Sequence, residues 1–274
     1  MPINNSINTN VGAFVALQNL NSVNARLDVV QNRVSTGLKV NSAVEDASSF
    51  AIAQGIRGNL KAYEAVSQGL ANGRGVATVT LAGATAISDL LGDIQKKITE
   101  GQNAGNSTEQ QSILNSDFSN LVSQINTFIV NATYNGRNLL SFSSTSLNVI
   151  GNVDGTTLTI RSNSSFAVTS TALGAQQISS TVAATKALSV LFTATASINA
   201  VLGNLGADTR TLNFQETFIS KLSDAVSEGL GAIVDADLAK ESSRLQALQV
   251  QQQLSVQTLN IANQKPSGLL SLFR

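Results

Sequence analysis

Residues 245–264 read LQALQVQQQLSVQTLNIANQ, and no charge interrupts them between Arg244 and Lys265. Leu238, Leu245, Leu248, Gln252 and Leu259 follow heptad spacing, and Ala247, Val250, Leu254 and Ile261 form a second stripe of the same period. A helix with one apolar stripe packs on one partner. Two stripes without charge predict burial on more than one side. The glutamines spread around this helix argue against a membrane span, because each amide would need a partner in lipid. A packed protein assembly suits a helix that is polar yet uncharged.

The other end of the chain has the same character. No charge occurs from Pro2 to Ala25, and Ala13, Ala16, Leu20, Val23, Leu27, Val30 and Val34 alternate steps of three and four. This heptad seam predicts a helix from about Asn5 to Val34, roughly 45 Å long at 1.5 Å per residue. Two such arms can pair with each other and leave apolar surface for further copies of the chain.

Composition narrows the function classes. The 274 residues carry zero net charge, 4% aromatic residues, and neither Cys nor His. A neutral balance offers no basic face for nucleic acid. Without His or Cys, the commonest general base, metal ligands and thiol nucleophile are missing. No HExxH, CxxC or P-loop pattern occurs, and Gly73-Arg74-Gly75 is only a fragment of a dinucleotide fingerprint. The carboxylate pairs Glu45-Asp46 and Asp235/Asp237 read as helix-end or solvated charges. No catalysis, cofactor or metal is expected. The opening MPINNSINTN lacks the basic and apolar regions of a cleaved signal peptide. It predicts a cytoplasmic protein unless another export route operates.

Between the arms, Ser42 and Glu45 predict a capping box for a second helix. A heptad series then runs through Leu60, Tyr63, Ser67, Leu70, Arg74, Ala77, Leu81, Ala84, Ser88, Leu91, Gln95 and Ile98. Its phase survives Gly69, Gly73, Gly75, Gly83 and Gly92, which predicts one continuous helix. The glycines then permit close backbone packing between helices; the alternative is a helix broken near Gly73. Ser107 and Gln110 predict another capping box, ahead of a helix that Asn135-Gly136 closes with a turn. From Ser141 to Thr181 the composition shifts to Ser, Thr, Asn and Gly. Leu147–Val149 and Leu158–Ile160 around Asp154-Gly155 predict a β-hairpin, with Phe166 and Val168 as a further short strand. Heptad spacing resumes at Leu188 and continues through Leu191, Ile198, Leu205, Leu212 and Ile219 toward the C-terminal arm, predicting one very long return helix. The expected fold class is mainly α: a long antiparallel helical rod with a small β-hairpin cap and both termini at one end.

The stretch from Arg33-Val34-Ser35-Thr36-Gly37-Leu38 through Glu45-Asp46-Ala47 to Ala53 closely resembles the N-terminal signature of bacterial flagellins. Asn135-Gly136 before Leu139-Leu140, Leu205-Gly206-Ala207, and the run from Asp237-Leu238-Ala239 through Ala262-Asn263-Gln264 to Leu272-Phe273-Arg274 are similar to further flagellin motifs, in the family's order. The wording is most like short flagellins of alphaproteobacteria. The resemblance implies a structural subunit that polymerises into the flagellar filament for swimming. Alternatives are the hook–filament junction protein and, in another class, a secreted membrane-inserting translocator. It implies an inner coiled-coil domain of residues 1–40 and 235–274, a middle helical domain of 41–140 and 182–234, and a small outer β/loop region of 141–181. Self-assembly is expected through Leu20, Val23, Leu27, Val30, Val34, Leu238, Leu245, Leu248, Leu254, Leu259 and Ile261.

The implied partners are further copies of the chain, an export chaperone on the C-terminal arm, the flagellar export apparatus, and the cap and hook-junction proteins. The implied location is extracellular, reached by type III export without a cleaved signal. O-glycosylation at Ser143, Ser144, Thr145, Ser164 or Ser165 is implied, against a plain polar loop. Many flagellins carry arginines where this chain has Asp93 and Gln95. Recognition by the vertebrate Toll-like receptor is therefore expected to be weak.

Overall fold

The computed structural model describes residues 9–270. The start of the first predicted helix, up to Asn8, and the terminal match from Ser271 to Arg274 lie outside the described residues. The described fold is mainly α, with six helices and one two-stranded antiparallel hairpin. It divides into two compact units, residues 1–58 with 225–274, and residues 59–224.

The first unit is built on α1 (Val11–Thr36) and α6 (Leu238–Leu270). Asn10 caps α1 by accepting the Ala13 amide at 3.1 Å. Gly37 ends it in the left-handed region at φ 72°, and its amide reaches the Arg33 carbonyl. That turn sends residues 37–40 alongside residues 234–236. The Lys39 amide donates to Val234 O at 2.6 Å, and the Ala236 amide donates to Gly37 O at 2.9 Å. Leu38 and Asp235 form an antiparallel bridge.

This pairing corrects the single return helix expected from the heptad phase. α5 (Thr181–Val234) ends where its last carbonyl is taken by the distant strand-like segment. Asp237 then caps α6 by accepting the Lys240 amide at 3.1 Å. The capping box expected at Ser42 and Glu45 is also corrected. Glu45 Oε2 instead accepts the Asn41 amide, and Asp46 caps α2 (Ala47–Gly101) by accepting the Ser48 and Ser49 amides. The Ser49 hydroxyl and those amides hold the Asp46 carboxyl below its ordinary pKa.

The second unit is a helical core. Heptad positions Leu70, Ala77, Ala84, Leu91 and Ile98 of α2 are buried together with Leu191, Ile198, Leu205, Leu212 and Ile219 of α5. Each fully buried Leu or Ile stabilises by about 1.5–3 kcal/mol. In the predicted series only Arg74 and Gln95 are exposed. Arg74 pairs with Glu216 of α5 at 3.0 Å. By length and composition α2 and α5 could each cross a membrane. Here it is their heptad positions that fill one core.

α3 (Thr108–Asn131) opens with the predicted capping box of Ser107 and Gln110 and adds Phe118, Val122, Ile125 and Ile129 to that core. Asn135 and Gly136 take positive φ, 48° and 73°, in a tight turn closed by the Tyr134 and Arg137 backbones. β1 (Leu147–Ile150) pairs with β2 (Thr157–Ile160) in the register Leu147↔Ile160 and Val149↔Leu158.

The hairpin and the Tyr134 turn account for two of the glycines in α2. A Cβ at Gly73 would lie 2.6 Å from Val149 Cγ2, and one at Gly75 would lie 2.8 Å from the Tyr134 ring. The strand expected at Phe166 and Val168 is helix instead: both lie in α4 (Ser164–Gly174), which packs on α3. Phe166, Ser170 and Leu173 are buried at steps of four and three, with Ala167 beside them, a spacing that only a helix turns to one side.

Candidate self-assembly surface

α1 and α6 run antiparallel. Arg33 lies 3.7 Å from Glu241, Gln252 Nε2 donates to Asn24 Oδ1 at 2.8 Å, and Asn10 Nδ2 donates to the Ala262 carbonyl at 2.7 Å. Between these polar links the apolar seam closes. Val23, Val30 and Leu248 are buried together, with Leu27, Val34 and Leu245 packed against them. Leu20 and Leu259 are half-buried. Apart from Leu238, the heptad series read from both arms therefore lies along the contact between them.

A polar pair inside a heptad seam fixes which turns face each other, because sliding would leave its amides unpaired. The Gln252–Asn24 bond has that place here. At the end nearer the backbone pairing, Arg33 stands between Glu45 and Glu241, with Arg244 4.0 Å from Glu241.

The remaining predicted assembly residues point elsewhere. Leu238, Leu254 and Ile261 are exposed, as is Val250. The contrast on one helix is plain: Leu248 is 6% exposed and Leu254 57%. α1 has its own exposed set in Val11, Phe14, Val15 and Leu17. Phe14 was not singled out from the sequence, since its step lies off the seam; an aromatic side chain on the outer face of an uncharged arm was the available signal. Exposed apolar residues gathered on these two uncharged arms are what an interaction site requires.

The predicted modification sites divide as well. Ser143, Thr145 and Ser165 are exposed, and Ser164 is half-buried in the first turn of α4. The Ser144 hydroxyl bonds to Ser162 Oγ at 2.6 Å and so is already engaged. Among the described residues no group of three or more Asp or Glu could hold a metal ion. Asp235 and Asp237 sit at the helix break rather than converging on a cleft.

The model of the bacterial flagellin N-terminal helical region matches residues 7–145, and that of the bacterial flagellin C-terminal helical region matches 188–273. The chain belongs to the bacterial flagellin family. The N-terminal flagellin match spans α1, α2 and α3 and ends just before β1; the C-terminal match takes in most of α5 and α6. The hairpin and α4 fall between the two. Flagellin FljM of Caulobacter vibrioides is 40% identical over 273 residues, covering 98% of this chain and 99% of that one. Flagellin FljK of the same organism is 39% identical over 271 residues, with the same coverage. A Brucella melitensis flagellin is 37% identical over 281 residues, again across 98% of this chain and 99% of its own.

Proposed function

We propose that the chain is a structural subunit of the bacterial flagellar filament, and that the outer stripes of α1 and α6 hold its copies together. The carrying observation is the apolar surface left over once the α1–α6 seam is complete: Phe14, Val250, Leu254 and Ile261 remain exposed. A head-to-tail contact that does not close on itself gives a helical polymer. Residues 1–40 and 235–274 would form the inner layer, 41–140 and 182–234 the middle, and 141–181 the outer surface.

Export through the flagellar apparatus without a cleaved signal, chaperone capture of the α6 arm by a helix-in-groove contact, and contacts with cap and junction proteins follow from this reading. Ser143, Thr145 and Ser165 are the exposed hydroxyls best placed for O-linked sugar. An intact mass equal to the sequence mass, for protein from native filaments, excludes that modification. Asp93 and Gln95 are both exposed and lack the fork of an arginine, which supports weak receptor recognition. Strong reporter signalling by purified monomer contradicts it.

Electron microscopy tests the main reading. Purified chain added to filament seeds should extend them, and chain lacking residues 236–274 should not. Failure of the full chain under conditions that extend seeds of a related flagellin overturns the proposal.

A further inference from the structure

Asparagine precedes glycine at two places in the chain, Asn72-Gly73 and Asn135-Gly136. Such a pair is open to ring closure. The glycine amide nitrogen can reach the preceding carboxamide carbon because no Cβ stands in its way. Asparagine counts among the thermolabile side chains. By sequence the two pairs are equivalent, and in the fold Asn72 and Asn135 are both exposed.

The fold separates them at the glycine. Gly73 is buried inside α2, where its amide is spent on the carbonyl one turn earlier. It also packs tightly, since a Cβ there would lie 2.6 Å from Val149 Cγ2. Turning the Gly73 nitrogen toward Asn72 would unwind a helix within the core.

Gly136 is exposed at the tip of a two-residue turn. Among the described residues neither the Gly136 amide nor the Asn135 carboxamide has a hydrogen-bond partner. Asn135 holds φ 48°, a region that L side chains disfavour, so the residue itself does not resist leaving it. Two bonds close the turn, between the Tyr134 and Arg137 backbones, each 2.9 Å. Breaking them lets the Asn135–Gly136 peptide rotate without unwinding α2. The glycine turn of the hairpin differs in both respects. Asp154 has no amide to expel, and the Gly155 amide donates to Asn152 O at 3.1 Å.

We propose that Asn135 is a spontaneous deamidation site of the folded chain and that Asn72 is protected. The Gly136 nitrogen gives up its proton and bonds to Asn135 Cγ. The Cγ–Nδ2 bond breaks, and ammonia leaves with that proton. Water then opens either carbonyl of the cyclic imide. Opening at Cγ gives aspartate, and opening at the backbone carbon gives isoaspartate. The net change is ammonia exchanged for water, with no oxidation or reduction.

Either product places a carboxylate two residues before Arg137. Isoaspartate also adds a methylene to the backbone, and a two-residue turn lengthened in this way cannot keep both closing bonds. The Tyr134 ring, which packs against Gly75, then loses the turn that holds it there. Asn135 is thus the point at which the folded chain ages. The inference goes beyond the filament reading and stands without it.

The test uses the purified full chain, folded at mildly alkaline pH and, in parallel, unfolded in guanidinium chloride. Samples taken over time are digested, and the peptides carrying Asn72 and Asn135 are quantified by mass spectrometry after chromatography that separates aspartate from isoaspartate. In the folded chain the Asn135 peptide should convert at least about tenfold faster than the Asn72 peptide. In denaturant the two rates should agree within about twofold, because only the fold distinguishes the pairs. Equal rates in the folded chain, or faster conversion at Asn72, overturn the proposal. So does an Asn135 that stays intact in the folded chain for the time in which the denatured chain converts. Aspartate without isoaspartate would mean direct hydrolysis and overturn the imide route.

Discussion

Asp208 of α5 takes the end of β2 through one residue, Arg161. Its carboxylate accepts the Arg161 backbone amide at 3.0 Å, Nε at 3.2 Å and Nη2 at 2.7 Å. The same carboxylate raises the Arg161 guanidinium above its ordinary pKa through those hydrogen bonds. Asp208 is largely buried and Arg161 half exposed. Removing the acceptor leaves a backbone amide and a planar fork without a partner. Asp208→Ala should destabilise the monomer by about 2 kcal/mol, and Arg161→Lys by about 1 kcal/mol, since lysine keeps the charge but not the fork. Urea unfolding midpoints measure both. Equal, negligible losses would refute the tie between hairpin and α5.

The α2 glycines separate into two kinds. Gly75→Ala should cost about 1–3 kcal/mol, because its Cβ would meet the Tyr134 ring and the turn must shift. Gly92→Ala, in open space on the same helix, should stabilise by about 0.5–1 kcal/mol. Opposite signs in one helix, read by thermal unfolding, distinguish packing from helix propensity.

Acid should loosen the start of α2. The folded-state Asp46 carboxyl lies below its ordinary value. Its contribution is therefore complete above the unfolded pKa and is lost as pH falls through the lowered folded one. Asp46→Asn keeps a capping oxygen that does not titrate. Between pH about 6 and about 2, the parent should lose more stability than the variant. Parallel acid profiles contradict this role.

These positions also show what the sequence could reveal. The seam of Ala16, Val23 and Val30, and the core series of Leu70, Leu91, Leu191 and Ile219, were legible because a heptad pattern is local and periodic. The break at Asp235 was not. Nothing near Val234 shows that residues 37–40, about two hundred positions earlier, take its carbonyl. Phe166 was misread for a related reason: Phe-Ala-Val is compatible with a strand, and only packing of α4 on α3 makes it helix. The self-assembly residues were legible as apolar heptads, but not which of them α1 and α6 use up on each other.

Gln252 should act as a register pin. Gln252→Leu removes the bond to Asn24 and adds apolar contact in the seam. Stability should hold or rise, while pairing precision falls. Crosslinking of Val23→Cys/Leu248→Cys in that background should become slower and less complete than in the parent. Unchanged crosslinking would show that the Arg33–Glu241 and Asn10–Ala262 ends suffice.

The central claim is that the outer stripe of α6 joins copies after the inner stripe has joined the arms. The direct measurement is sedimentation of Leu254→Glu/Ile261→Glu chain after seeding, with circular dichroism of the monomer as control. The account predicts unchanged monomer helicity and no pelletable polymer at concentrations where the parent fully assembles. Polymer at the parental critical concentration would contradict it.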